Sequence, residues 1–373
     1  METCEVLIVG GGPAGSSCAG RLRRAGIDVL LLDKETFPRQ KACAGWITPA
    51  VFKALALDTR EYRQKGILQE ISSFRTGLID GTSLVTSYGT TVSYGIRRPE
   101  FDLYLLRRSG VRQSPGEPVA TLERRPDGWI VNGHIRAQLL VGAGGHFCPV
   151  ARQLGATVGR EDVIAARVAE FPLTPEEERL CSIPADTPAL FFCRDLRGYG
   201  WLLRKGSWLN IGLGRMDTHH LARHTGEFCE FLRRCGYLAL DITEKFQGHA
   251  YRVFQGRGGR RCVGDGVLLI GDAAGVARPF SGEGILPAIE SACMAAEAIL
   301  AADGDYRRGK LESYAARLAS RFGGGSVNYP TSPVASGIAR FIGARMLSSR
   351  RFTRHIVLDR WFLHADQQTL DCS

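Results

Sequence analysis

The stretch Glu5–Gly20, EVLIVGGGPAGSSCAG, constrains this chain more than any other. Val6 to Val9 form a continuous apolar run, the pattern of a parallel strand covered on both faces. Glycines follow at 10, 12 and 15, and AGSSCAGRLRRAG carries helical spacing through Ala14, Cys18 and Leu22 to a stop at Gly26. A second apolar run, DVLLLDK, comes at once. Gly10 permits the tight turn, Gly12 lets backbone approach a pyrophosphate, and Gly15 allows the helix to pack closely on the strand. Pro13 and Ala14 open the helix, whose N-terminal N–H groups and dipole favour an anion. Asp33 ends the second strand 18 residues after Gly15, where an acid bonds a ribose hydroxyl, and Lys34 stands beside it. Together these features predict a dinucleotide-binding unit.

The far end of the chain narrows the dinucleotide. Gly264 to Leu300, GDGVLLIGDAAGVARPFSGEGILPAIESACMAAEAIL, reads as a buried strand, a short turn, a glycine-containing loop and a long small-residue helix. It resembles the second FAD signature of the para-hydroxybenzoate hydroxylase-like flavoproteins. The resemblance implies that Asp272, beside Gly271, bonds the ribityl chain. It also implies a helix beginning near Gly282, with Gly284 and Ile285, that aims backbone N–H groups at the flavin pyrimidine edge. A helix N-terminus suits that place because it stabilises the negative charge a flavin gains on reduction. Two signatures about 260 residues apart imply bound FAD.

Three further segments resemble the geranylgeranyl reductase family. FPRQKACAGWITPAVFKAL is similar to its P…KxCGG stretch, which places Cys43 on the flavin-side cysteine and Ala44 and Gly45 in the neighbouring small positions. GIRRPEFDLYLLRRSG resembles its R-x-x-F-D stretch, implying that Arg98 contacts FAD and that Asp102 begins a helix; Val119 is carried over as a further cofactor contact. GYGWLLRKGSWLNIGLG resembles its Y-x-W strand, implying that Tyr199 and Trp201 line a substrate cavity ahead of Asn210 and Gly212.

Two departures from the family pattern matter. In LLVGAGGHFCPVARQLG, Gly144 stands where the superfamily carries an aspartate implicated in pyrophosphate binding and NAD(P)H docking. This leaves NAD(P)H uncertain as the electron donor and admits a protein donor or free reduced flavin, unless Arg152 or His146 replaces the contact. Leu202-Leu203-Arg204 replaces the Phe-Pro that follows the tryptophan in the reductases, which weakens any inference that the prenyl cavity is preserved.

These anchors predict an α/β fold, α+β overall: a Rossmann-like FAD-binding domain with an inserted antiparallel β-sheet substrate domain and a helical C-terminal segment. The FAD domain is expected from residues 1–68, 96–154 and 262–303, the substrate or cap domain from 69–95 and 155–261, and the helical segment from 304–373. PVATLERRPDGWIVNG reads as a hairpin turning at Asp127-Gly128. Eleven scattered cysteines without a CxxC pair point to reduced thiols and a cytoplasmic location and offer no metal site. No apolar run reaches the roughly 20 residues of a membrane span. Net charge is +10. Much of it lies in Gly337–Trp361, where Arg340, Arg345, Arg350, Arg351, Arg354 and Arg360 surround Ile338, Phe341, Ile342, Met346 and Leu347. That segment is either a helix packed on the body with a solvated basic face or a peripheral contact with an anionic membrane. No nucleic-acid motif accompanies the charge, so nucleic acid is not expected as a partner.

The resemblance implies an FAD-dependent oxidoreductase reducing C=C bonds in a hydrophobic, isoprenoid or lipid-like substrate. A monooxygenase or halogenase of the same fold, although the chain lacks W-x-W-x-I-P, and a non-catalytic flavin-bound redox partner are the alternatives. Cys43 is either the proton donor or a small packed residue, and His146 either a cofactor contact or a polar loop residue.

Overall fold

The computed structural model describes residues 1–155, 163–217, 219–240, 242, 245–253, 260–323 and 342–372. Its first layer is an eight-stranded sheet. β1 (Glu2–Val9) lies between β2 (Val29–Asp33) and β11 (Ile135–Gly142), all parallel; β8 (Arg112–Pro115) extends it beyond β2 and β18 (Val267–Leu269) beyond β11. β17 (Val263–Gly264) closes that edge antiparallel to β18, and the hairpin of β9 (Leu122–Arg125) and β10 (Gly128–Val131) joins β11. All five residues of β2 are buried, as a strand sandwiched between helices requires. The covering helices include α1 (Pro13–Arg24), α4 (Arg98–Ser109), α8 (Ile285–Ala302) and α9 (Arg308–Phe322).

α8 is long and apolar enough to cross a bilayer by composition, yet 15 of its 18 residues are buried. Its small side chains let it lie against α1, where Arg21 pairs with Glu297 at 2.8 Å. It is a core helix.

The second layer is a seven-stranded sheet ordered β16 (Gln247–Tyr251), β12 (Ile164–Pro172), β15 (Trp208–Arg215), β14 (Gly198–Lys205), β13 (Ala189–Phe192), β5 (Ser73–Leu78) and β6 (Ser83–Ser87). Every pair is antiparallel except β13 with β5. β14 sits near its centre with Trp201 opposite Gly212; a Cβ on that glycine would lie 2.3 Å from the indole, so the missing side chain makes room for the ring. α7 (Leu221–Arg234) covers one face of this sheet, placing Phe228 against Gly200. A third, three-stranded sheet orders β3 (Trp46–Ile47), β7 (Ser93–Ile96) and β4 (Leu68–Ile71). It draws on residues that the sequence reading divides between the two domains. Short helices α2 (Pro49–Ala54), α3 (Thr59–Arg63), α5 (Pro149–Gln153) and α6 (Pro175–Arg179) complete the connections.

Two expectations are corrected. The structure joins Cys293 to Cys372 in a disulfide, so not all thiols are free. The helix expected from Asp102 starts at Arg98, because Pro99 fills an N-terminal position where a missing N–H costs nothing. Asp102 is therefore in its second turn. Of the basic C-terminal segment, Ile338, Arg340 and Phe341 lie outside the described residues. In the rest, Leu347 is buried while Ile342, Met346, Arg345, Arg350, Arg351, Arg354 and Arg360 are exposed.

Candidate functional site

A cavity of about 600 Å³ runs between the two large sheets. Its first end is built by the turn between β1 and α1. Gly10 has φ +117°, and a Cβ there would stand 2.4 Å from the Ala143 carbonyl oxygen, so no other residue fits this crossing of two strand ends. Gly15 does not face the cavity. Its Cβ would meet the Gly10 carbonyl oxygen at 1.8 Å, so it lets the helix close onto the turn. Gly10, Gly12, Pro13 and Ala14 do line the cavity, beside Asp33, Lys34 and Val119. The Asp33 carboxylate accepts from the N–H of Gly11 at 2.7 Å and of Glu35 at 2.9 Å, which fixes it toward the turn. Bare backbone, a helix N-terminus and an anchored carboxylate fit the pyrophosphate and ribose of a dinucleotide.

Farther in, Arg39, Lys41, Cys43, Arg98, His146, His249, Tyr251, Asp272, Gly282, Gly284 and Ile285 surround the cavity. Arg98 donates two hydrogen bonds of 2.8 Å to Asp102, a fully buried carboxylate that Arg39 also approaches at 3.3 Å. Asp102 thus aims the two guanidinium groups. α8 begins at Ile285 with Gly284 before it, three residues later than the sequence suggests at Gly282. Gly282 instead has φ +68° and lies against the Tyr251 hydroxyl. Gly271 is not in the wall; its N–H donates to Ser291 Oγ at 2.9 Å, which sets the turn that presents Asp272 to the N-terminus of α8.

The electrostatics here are positive and poorly solvated. Burial lowers the Lys41 ammonium below its ordinary range, Arg98 and Arg39 push the same way, and Asp272 opposes them. Lys41 Nζ lies 3.4 Å from His249 Nδ1. Burial, then Lys41, Arg98 and His146, hold His249 well below 6.5, so its ring is neutral at neutral pH. Such a cluster attracts an anionic cofactor and resists extra protons.

Cys43 sits at the junction with the third part of the cavity. Its sulfur accepts from the Gly45 N–H at 3.3 Å, the Arg98 guanidinium reaches it, and its carbonyl accepts from Asn210 Nδ2 at 2.8 Å. Gly45 is behind the wall, with φ +62° and space for a Cβ blocked by the Ile96 carbonyl at 2.2 Å. Elsewhere in the core, burial pushes the Cys18 and Cys262 thiols up to about 12, which leaves them inert.

Beyond Cys43 the lining becomes aromatic and apolar: Ala44, Trp46, Val168, Tyr199, Trp201 and Phe362. The polar tips of two rings are already engaged. Tyr199 donates its hydroxyl to the Ser281 carbonyl, and Trp201 Nε1 donates to Asn210 Oδ1 at 2.8 Å. Burial also raises the Tyr199 phenol well above its usual value, so it keeps its proton. Asn210 donates on to Glu170 at 3.0 Å, and Glu170 accepts from the fully buried Lys205 at 2.6 Å. A polar chain behind the wall thus supports an apolar face in front.

Residues 3–72 match the family model described as an FAD binding domain. Menaquinone reductase of Mycobacterium tuberculosis is 29% identical over 331 residues, 79% of this chain and 76% of that protein. Digeranylgeranylglycerophospholipid reductase 1 of Methanothermobacter thermautotrophicus is 24% identical over 341 residues, covering 83% and 81%. A geranylgeranyl bacteriochlorophyll reductase-like structure from Thermoplasma acidophilum superimposes with a TM-score of 0.73 at 20% identity, over 93% of this chain and 88% of that one. The chain is an FAD-dependent oxidoreductase, similar over most of its length to reductases of the geranylgeranyl type. Flavin-dependent monooxygenase and halogenase structures share its fold at TM-scores of 0.66 and 0.64, so architecture alone does not choose the reaction.

In this flavoprotein Gly144 faces the cavity, and a Cβ there would touch Cys148 Sγ at 3.3 Å. Arg152 and His146 line the same stretch; Arg152 donates to the Phe147 carbonyl at 3.3 Å, and His146 is buried edge-on to Phe147. Sequence reasoning missed Arg39, Lys41, Trp46, His249, Tyr251 and Phe362. Arg39, Lys41 and Trp46 flank the cysteine motif and could have been read from it. His249 and Tyr251 lie on the edge strand β16, and Phe362 is near the C-terminus; no local pattern marks any of the three.

Proposed function

We propose that this flavoprotein reduces an isolated carbon–carbon double bond in an apolar, isoprenoid-like substrate. The observation that carries the reading is the aromatic chamber of Trp46, Tyr199, Trp201 and Phe362 opening directly onto Cys43 and the N-terminus of α8. The names of the relatives, reductases of menaquinone and of a digeranylgeranyl lipid, support it. Held by the Gly10–Ala14 turn, Arg98 and the N-terminus of α8, and reduced by an external two-electron donor, FAD would supply hydride chemistry at this end of the chamber. The chamber walls hold the chain and exclude water, which favours apolar substrate and protects the hydride step. Cys43 gives the proton on Sγ to one carbon of the double bond, and the resulting thiolate is met by the Gly45 N–H and the Arg98 guanidinium before solvent returns a proton. Within this reading, the FAD domain comprises residues 1–68, 96–154 and 262–303, and the cap 69–95 and 155–261.

Gly144 supports a protein donor or free reduced flavin in place of NAD(P)H. A cytoplasmic protein drawing a lipid substrate from a membrane surface would use the exposed arginines beside Ile342 and Met346. The deciding experiment reduces the protein without oxygen, adds a geranylgeranyl lipid and reads products by mass. A gain of two hydrogens is expected. A gain of one oxygen after air is admitted would favour a monooxygenase, and no product from any prenyl lipid would leave a redox-partner role.

A further inference from the structure

The end of the chain wraps back over the site. Phe362 is 4% exposed and points into the chamber, stacked on Trp46 with ring centres 5.2 Å apart and 16° between planes, and edge-on to Tyr199 at 5.2 Å. Its neighbour Trp361 stacks instead on Phe280, at 4.7 Å and 6°, and Phe280 is 44% exposed. Adjacent residues of one strap thus face the chamber and the outer surface. The strap is tied on both sides of Phe362. Before it, Tyr88 donates to Asp359 at 2.6 Å. After it, His364 Nε2 lies 3.1 Å from Glu283 Oε2, Arg321 donates to the Gln368 carbonyl at 2.7 Å, and Cys372 is bonded to Cys293 of α8. These anchors belong to four separate parts of the fold. Phe362 cannot leave the chamber unless one side of the strap lets go.

We propose that this C-terminal strap is the end wall of the substrate chamber and that Phe362 sets the length of apolar chain admitted. The proposal rests on reading the chamber as the place where the apolar substrate lies. An aromatic ring packed against two others presents a rigid stop, whereas alanine in its place would leave a space that further methylenes can fill. Each buried methylene then tightens binding about fourfold.

The test uses FAD-loaded wild type, Phe362→Ala and the less drastic truncation Phe362→Leu, with flavin content checking that each variant is folded. Dissociation constants are read from quenching of tryptophan fluorescence by straight-chain alcohols of increasing length and by prenyl alcohols. Wild type should gain about fourfold per methylene and then reach a plateau. Phe362→Ala should carry the gain to longer chains, and Phe362→Leu should move the plateau the same way by a smaller step. One plateau common to all three folded proteins would overturn the proposal. If straight chains show the shift while prenyl alcohols do not bind, the wall stands and the isoprenoid reading fails. If neither series binds wild type, both fail.

Discussion

Lys205 and Glu170 form a buried ion pair behind the site, and separating them gives a quantitative test of how the Cys43 loop is held. Lys205 is fully buried and donates to Glu170 Oε1 at 2.6 Å; Glu170 also accepts from Asn210 at 3.0 Å and faces Arg97 Nε at 3.7 Å. Breaking a buried pair by removing one partner costs about 3–5 kcal/mol, because the remaining charge stays desolvated. Lys205→Met leaves Glu170 with Asn210 and Arg97, so its cost should fall near the lower end, about 3 kcal/mol. Glu170→Gln keeps the acceptor oxygen shared by Asn210 and Lys205 but leaves the buried ammonium without its counter-charge, and burial already lowers its affinity for a proton, so it should cost about as much. The double variant removes both charges and should cost less than the sum of the singles by about 2 kcal/mol, within the range found for directly paired residues. Urea unfolding followed by flavin and tryptophan fluorescence measures all four proteins. Strictly additive single effects would show that the two groups do not depend on each other. Because Asn210 joins Glu170 to the Cys43 carbonyl, both single variants should also change the rate at which Cys43 is alkylated.

Other perturbations read the site from its other walls. Asp272→Ala should weaken FAD retention roughly ten- to hundredfold, the worth of a charge-assisted hydrogen bond of about 1.5–3 kcal/mol, and equilibrium titration of the apoprotein with FAD would show it. Cys43→Ser should keep its flavin but form product more slowly, since a hydroxyl is a far weaker acid than a thiol; wild-type turnover would leave the residue a packing role. Gly144→Asp should speed flavin bleaching by NADPH in stopped flow, and rapid saturable bleaching of the unaltered protein would refute the altered-donor idea. His249 is held neutral in the fold, among Lys41, Arg98 and His146. Below its ordinary value of 6.5 the unfolded chain therefore binds a proton that the folded one does not, and stability should fall as pH drops through 6.5. The slope of thermal unfolding midpoint against pH should be shallower in His249→Gln.

The nucleotide end of this protein is written locally. A buried strand, a turn whose Gly10 must take φ +117°, and a helix whose Gly15 touches the turn all lie within a few residues of one another, so the order of residue types determines the geometry. The same holds for Asp272 and the start of α8, to within three residues. The family stretches also bring Cys43, Tyr199 and Trp201 to one cavity, because each is a short motif on a defined strand or loop. What backs those residues is another matter. Lys205, Glu170 and Asn210 meet through the registers of β12, β14 and β15, and their pairing depends on which strands become neighbours. His249 and Tyr251 reach the cavity because β16 attaches to the edge of that sheet at β12. Phe362 reaches it because the strap is fastened to α8, α9 and the loop before α8. A single sequence carries no period or motif for contacts made across hundreds of residues; they are decided when sheets and helices close around a common core. The turn, helix start and carboxylate that fit a dinucleotide are thus legible in the chain, while the shape of the aromatic chamber belongs to the tertiary fold.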